Sequence, residues 1–468
     1  MQPRYTVFGV LANPFISARV EAVHYPISTV IPPAAVRLDT TPIGLSFEFD
    51  VWPTYKLNVS HVWHCMSHIA ELYHTKMPIR IGGTTQDRSA YDATYDGYIC
   101  SDPTVELHNT YGPKYFDLIS DYGGETTLGF NRGDDNITNS LEAALAAKSI
   151  ILNSLWAIEL GNEPDLYYST WGKPVATPPW NESQEGENQA QWSQAFLDAW
   201  GETSPILSAG NYALPIELTE AYPNTDYLIN VAFNGSIKAG VKAYCTHAYA
   251  LSGQDAELPD EMKHSKTVAD MANYVDKIAA AKSVGRPYII GEAGFHGLET
   301  KQDATFGGAI QIVDKTLRAL AIGIQRIYYH QGSLGANQAS FNWWSLDGVA
   351  APFYGGYSRL LRSRVESGSL RAILEMILRR NTGEPTATVF RLDGLPPSTL
   401  KVLRMTAASS EVTVEDSLPT IGGQTFSNDK CMILGDQMFE DIENLDGVAE
   451  VTLMASEAVI VYIDYDCA

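Results

Sequence analysis

The residue pattern predicts an α/β chain built as a (β/α)8 TIM barrel followed by a C-terminal antiparallel β-sandwich domain. Three observations carry this reading. Between residues 43 and 332, short apolar runs alternate with amphipathic ones, which marks a parallel sheet flanked by helices. Eight such repeats suit a barrel of ~250 residues or more with insertions. From about residue 385 the texture changes to short β-rich runs separated by Gly, Pro, Asn and Asp.

The strand candidates, in order, are Gly44–Phe49, Ile79–Gly82, Thr127–Asn131, Ala157–Gly161, Ile206–Gly210, Lys242–Ala248, Tyr288–Gly291 and Arg326–His330. Helical spacing falls between them at Val62–Tyr73, Tyr115–Tyr122, Leu141–Leu152, Gln189–Trp200, Asp226–Phe233, Thr267–Ser283 and Thr305–Ile322. A doubly wound open sheet is the competing architecture, but no Gly-rich phosphate fingerprint follows an early strand. Leu370–Leu378 reads as the last helical segment. After it come β-runs at Thr388–Leu392, Leu400–Met405, Val412–Val414, Val451–Met454 and Ala458–Asp464, the pattern of a small sandwich. The expected domains are therefore an N-terminal segment 1–35 that adds strands to the sandwich, a catalytic barrel 36–355 and a sandwich 356–468.

Bulk properties narrow the class of function. With 468 residues, 45% hydrophobic and 19% charged, the chain has the make-up of a globular protein with a sizeable core. There is no 18-residue apolar stretch, so no membrane span is expected. The net charge of −23 points away from nucleic acid and anionic membranes. It also disfavours a highly sulfated polyanion as substrate. Met1-Gln2-Pro3-Arg4 does not lead into a clean signal peptide, because the apolar piece Val7–Ala12 is short and Pro14 breaks it.

The five cysteines include no CxxC, so zinc is not expected. Cys431 and Cys467 share the strand-rich C-terminal region and are the expected pair in an oxidising compartment. The alternative is five unpaired buried thiols. Sequons at Asn58, Asn136, Asn181 and Asn234 are no more than a chain of this composition supplies by accident.

Two strand ends carry the chemistry. Trp156-Ala157-Ile158-Glu159-Leu160-Gly161-Asn162-Glu163-Pro164 and Tyr288-Ile289-Ile290-Gly291-Glu292 are apolar runs that stop at a Gly and then present a carboxylate. They fall at barrel positions four and seven, which face each other across the mouth. Glycosidic bond cleavage needs two such groups, one to protonate the leaving oxygen and one to attack or to activate water. Other polar residues follow strand ends as well: Glu48, Thr84, Asn131, His247, Tyr249 and Gln331. That is the end where a barrel builds its active site.

Leu160-Gly161-Asn162-Glu163-Pro164 and Ile290-Gly291-Glu292 resemble the acid/base and nucleophile motifs of retaining glycosidases on (β/α)8 barrels. More narrowly, the chain resembles glycoside hydrolase family 79, which contains β-glucuronidases and heparanases. Gly44-Leu45-Ser46-Phe47-Glu48, Ile79 through Asp87, Leu128-Gly129-Phe130-Asn131, Thr246-His247-Ala248-Tyr249 and His330-Gln331-Gly332 carry the same likeness. It covers roughly residues 40 to 355 and resumes near residue 386. The first 25 residues match nothing in the family. Residues 356 to 384 are unusually basic where the family tends to show apolar strands.

The resemblance implies a retaining exo-β-glucuronidase acting on terminal β-linked glucuronic acid, with or without 4-O-methylation. Glu163 would be the general acid/base and Glu292 the nucleophile. Substrate contacts would come from Glu48, Thr84, Asn131, Asn162, Tyr249, Gly297 and Gln331. Asn162 would hold the 2-hydroxyl, and backbone N–H groups of the Gly294–Leu298 turn, with Gln331, the uronate. His247 and His330 read as structural, and Trp343-Trp344 as packing between barrel and sandwich. No metal or organic cofactor is called for. The partner is a carbohydrate, and the oligomeric state stays open. The resemblance also implies secretion. An endo-acting heparanase-like enzyme is the alternative, disfavoured by the acidic composition. A catalytically silent carbohydrate-binding protein is another, disfavoured by the presence of both glutamates and Asn162.

Overall fold

The structure is a computed structural model that describes residues 22–27, 36–101, 108–251, 257–295, 304–332, 372–376, 387–395, 399–413, 415–427, 430–444 and 446–462. Eight parallel strands close a barrel: β1 (Ile43–Glu48), β2 (Ile79–Gly82), β3 (Thr126–Phe130), β4 (Leu155–Leu160), β5 (Leu207–Tyr212), β6 (Val241–Ala248), β7 (Tyr288–Ala293) and β8 (Arg326–Gln331). Each strand pairs with its neighbour in sequence, and β8 closes on β1. Nearly all strand residues are buried, because helices cover the outer face while side chains fill the inside.

The helices follow the apolar spacing, with differences at breaks. The expected Thr267–Ser283 helix is two, His264–Ala272 and Val275–Ser283. Asp226–Phe233 is a short α-turn continued as a π-turn. Between β2 and the helix Pro113–Tyr122 lies an insertion, a small sheet of Ser89–Tyr91, Ile99–Ser101 and Asn109–Tyr111. Its strands are three residues long, too short for a period to show in the sequence. No described helix is long and apolar enough to cross a membrane.

Beyond the barrel, two sheets face each other. One orders Val23–Pro26, Ala387–Asp393 and Val448–Met454. Val23–Pro26 joins in parallel. The other orders Ala372–Met376, Ala458–Tyr462, Thr399–Thr406 and Thr420–Ile421, with Glu440–Glu443 also on Thr399–Thr406. Two expectations are corrected here. Ala372–Met376, inside the segment read as helical, is a strand antiparallel to Ala458–Tyr462. Val412 is buried but lies in no strand.

Side-chain alternation explains how the second sheet docks. Leu400, Val402, Val459 and Val461 pack into the sandwich core, while Leu403, Met405, Ala458 and Ile460 join Phe295, Phe306, Ile310 and Val313 of the barrel. With period 2, one strand thus serves two cores. Phe306 N–H and Gly307 N–H donate to Val412 and Ser410 carbonyls at 2.8 and 2.7 Å, so sandwich carbonyls satisfy the start of the helix Phe306–Ile322.

The cysteine expectation is overturned. Cys431 is bonded to Cys65 on the helix Ser60–Tyr73, with Cα atoms 5.3 Å apart. This staples a sandwich ribbon to the barrel, and Phe426 and Cys431 pack into the barrel's core. Cys245 is a free buried thiol and Cys100 a free exposed one. Cys467, Gly297, Trp343 and Trp344 lie outside the described residues.

Candidate active site

The mouth at the C-terminal end of the strands is built around a buried cation. Arg80 points inward from β2, fully buried. Its Nε donates to Glu159 of β4 at 3.0 Å and its Nη2 to the same carboxylate. Nη1 donates to Ser46 Oγ at 3.0 Å and to Glu292 Oε2 at 2.7 Å. Nη2 also donates to Asn162 Oδ1 at 2.8 Å. A desolvated guanidinium is tolerable only with carboxylates of this kind around its fork. One side chain therefore locates the carboxylate of β7, the amide after β4 and a wall of the barrel.

Glu292 sits in a bulge. Between Ile290 and Ala293, β7 holds one residue more than either neighbouring strand, and such a bulge re-aims a side chain. Both carboxylate oxygens are engaged, Oε2 by Arg80 and Oε1 by the Tyr249 hydroxyl at 2.7 Å. Burial pushes the Glu292 carboxyl up, but His330, His247, Arg80 and the Tyr249 hydrogen bond outweigh it and hold the group well below the ordinary range.

Glu163 is presented on a strained turn. Its φ is +50° and that of Gly161 is +82°. Left-handed backbone at a glutamate is uncommon and concentrates at functional sites. Two hydrogen bonds fix it: Glu163 N–H donates to Asn211 O at 3.0 Å, and Asn162 N–H to Asp87 Oδ2 at 2.7 Å. Burial first, then the charge of Glu292, raises the Glu163 carboxyl to about 8. A carboxylate oxygen of Glu163 and one of Glu292 lie within 4.8 Å of each other.

The two histidines, read from sequence as structural, stand against this pair. His247 Nδ1 lies 3.0 Å from Glu163 Oε1 and 3.9 Å from Glu292 Oε2. Burial keeps His247 neutral, its value pushed down to about 4. His330 has Nε2 3.1 Å from Glu48 Oε2 and Nδ1 2.9 Å from Ser46 Oγ. Its burial disfavours charge, but Glu292 and Glu48 more than offset that and raise it above its ordinary value. Glu163, His247 and Glu292 are spaced closely enough for a metal ion. Arg80 already lies against Glu292, so that carboxylate has a cation on it.

The other expected contacts divide. Glu48 reaches the mouth, held by Thr85 N–H and Oγ at 2.6 Å each. Thr84, expected as a substrate contact, is half-buried and precedes Thr85 in the same short turn. That turn needs Gly83, whose φ is +87° and whose missing Cβ would lie 2.3 Å from Glu48 Oε2. With Oδ1 on Arg80, Asn162 has its NH2 to offer a hydroxyl. Asn131 donates to Ser89 O at 3.2 Å and Asp134 Oδ2 at 2.8 Å, and so braces the inserted sheet. Gln331 is buried at the end of β8 and donates to His330 O at 2.6 Å.

Sequence reasoning missed Arg80, Glu159 and Asp87. Asp87 accepts from Arg132 N–H, Gly133 N–H, Asn162 N–H and Tyr167 O–H, tying together the loops after β2, β3 and β4. Arg80 and Glu159 did leave a signal: each is a charge inside a strand flanked by apolar residues, and barrel strands are buried on both faces.

Comparison with known proteins agrees with this arrangement. Residues 366–460 match the model of the glycosyl hydrolase family 79 C-terminal beta domain. A beta-glucuronidase of Aspergillus niger is 26% identical over 424 residues, covering 80% of this chain and 73% of its own. A beta-glucuronidase of Neurospora crassa is 24% identical over 389 residues, covering 75% and 67%. The crystal structure of a 4-O-α-L-rhamnosyl-β-D-glucuronidase from Fusarium oxysporum, in complex with Rha-GlcA, superposes with a TM-score of 0.87. It is 29% identical, and the match covers 94% of this chain and 100% of that one. These comparisons support membership of glycoside hydrolase family 79. The family 79 match begins at residue 366, some way before the point near 386 where the motif likeness resumes, and so takes in part of the basic stretch.

Proposed function

We propose that the chain is a retaining exo-β-glucuronidase that removes terminal β-linked glucuronic acid by double displacement, with Glu163 as acid/base and Glu292 as nucleophile. The observation that carries this is the carboxylate pair itself. Its oxygens lie within 4.8 Å, and its members are pushed to opposite protonation states. Retaining enzymes hold their carboxyls ~5–5.5 Å apart, whereas inverting ones leave ~6.5–9.5 Å for a water.

Glu292 attacks the anomeric carbon while Glu163 passes its proton to the glycosidic oxygen. The bond to the aglycone breaks, and an ester to Glu292 with inverted configuration remains. Glu163, now ionised, takes a proton from water as that water attacks the ester, and the second inversion restores the β-configuration. Arg80 and Tyr249 hold the attacking carboxylate in place throughout. The Asn162 NH2 faces the 2-hydroxyl, where hydrogen bonds strengthen in the transition state.

Glucuronate selectivity is assigned to the loop that begins at Gly294, which includes Gly297, and to Gln331. Lys315 supports this: its buried ammonium donates to Gly294 O at 2.8 Å, so a cation underlies the start of that loop. Likeness to the rhamnosyl-glucuronidase supports acceptance of glucuronate capped at O4 by rhamnose. The Cys65–Cys431 disulfide suits secretion into an oxidising compartment.

The test is NMR of the first sugar released from an aryl β-glucuronide. A β-anomer is expected, and an α-anomer would remove Glu292 from its role. Glu292→Ala should abolish turnover. Glu163→Ala should spare substrates with good leaving groups, and azide should restore it by forming a β-glycosyl azide. Equal kcat/KM for aryl β-glucoside and β-glucuronide would overturn the sugar assignment.

A further inference from the structure

His330 does more than fill the eighth strand. Its ring is buried between two carboxylates that the reaction uses differently, with Nε2 3.1 Å from Glu48 and Nδ1 3.7 Å from Glu292 Oε2. Nδ1 also meets Ser46 Oγ at 2.9 Å, and that hydroxyl accepts from Arg80, which in turn donates to Glu292. The titratable groups facing His330 are Glu48 on β1, Arg80 on β2, His247 on β6, Glu292 on β7 and, across the mouth, Glu163. Of these Arg80 is already matched by Glu159. Glu48 has hydroxyl and amide donors from Thr85, and among the described residues its one ion-pair partner is the His330 ring.

We infer that His330 is a positioning residue, a cationic bridge that joins the sugar-facing carboxylate Glu48 to the nucleophile Glu292 and holds both in place. The inference rests on the proposed role of Glu292 but not on which sugar the enzyme prefers. It has a consequence along the reaction. When Glu292 becomes an ester its negative charge is gone, and the imidazolium keeps Glu48 alone. Its hold on the proton must weaken in the glycosyl-enzyme and recover when water cleaves the ester. Direction agrees with geometry, since the two carboxylates raise His330 in the free enzyme against its burial.

The experiment separates His330 from Glu163. In the Glu163→Gln background, a dinitrophenyl β-glycoside needs no proton donor, so Glu163 no longer shapes the pH profile. The substrate is the dinitrophenyl glycoside that the wild type hydrolyses fastest, so a wrong sugar assignment leaves the test intact. We expect kcat/KM to keep an alkaline limb in Glu163→Gln and to lose it when His330→Gln is added, at roughly 100-fold lower activity. A flat profile in Glu163→Gln alone overturns the bridge, and that arm requires no His330 variant to fold. A second readout is 15N NMR of the imidazole before and after trapping with a 2-deoxy-2-fluoro glycoside. The His330 midpoint should fall on trapping, and an unchanged midpoint overturns the inference.

Discussion

Glu163 keeps its proton chiefly because it is buried, and the nearby charge of Glu292 reinforces this. Arg80 and His330 lie against Glu48, Glu159 and Glu292, and the charge of Glu292 weighs against a second carboxylate ionising beside it. The Glu163 carboxyl stays protonated up to about 8. For substrates with poor leaving groups, kcat/KM should therefore fall as pH rises through about 8. Folding is linked to the same proton. Below the unfolded value of 4.5 both states hold it; above 4.5 the unfolded chain releases it first. Stability should thus decline as pH rises from about 4.5 to about 8. Glu292, shifted the other way, loses its contribution only as pH falls below 4.5. Melting curves across pH should show a shallower decline in Glu163→Gln than in wild type, and equal slopes would contradict the assignment. Both glutamates were legible because they follow apolar runs at strand ends. Arg80 and Glu159 were legible only as charges inside apolar strands, a signal of burial that does not say which partner each one meets.

At the scale of the element, turns decide what the strands present. The turn Gly83–Thr85 wraps Glu48, and only a residue without Cβ fits at Gly83. Gly83→Ala should displace the Glu48 carboxylate and raise KM more than it lowers kcat, with a loss of about 1–3 kcal/mol in stability from the positive φ. Chemical denaturation and kinetics on one preparation check both, and unchanged KM would show that Glu48 does not touch substrate. The eight barrel strands were readable to within two residues, since an apolar run ending in Gly or a polar residue is a local signal. Leu370–Leu378 was misread for an equally local reason. Leu370, Ile373, Leu374, Ile377 and Leu378 repeat at helical spacing, yet pairing with Ala458–Tyr462 makes the centre of the segment a strand. Tertiary pairing overrode propensity there. The bulge at Glu292 left no trace in sequence, because it exists only in register with its neighbours.

At the scale of the molecule, charge and domain contact matter most. A net charge of −23 repels a polyanion at long range, and salt weakens that repulsion. With heparan sulfate or hyaluronan, chain shortening before any free glucuronate would promote the endo alternative. Monosaccharide or a capped disaccharide from the first time point is the expected result. The disulfide from Cys65 to Cys431 was beyond sequence reading, since it joins residues 366 positions apart and only the packed domains bring them together.

The sheet carrying Leu403, Met405, Ala458 and Ile460 shares a core with Phe295, three residues beyond Glu292, and with the helix that begins at Phe306. This makes the barrel a poor candidate for transplantation. A shortened chain ending at residue 332 would bare that apolar wall to water and leave the first turn of the helix without its carbonyl partners. Such a fragment should aggregate on expression and show no turnover, although every proposed catalytic side chain is still encoded. A soluble, active fragment would mean that the sandwich is a detachable accessory. On the contacts described, it packs against the segment just beyond Glu292, and the two parts share one core.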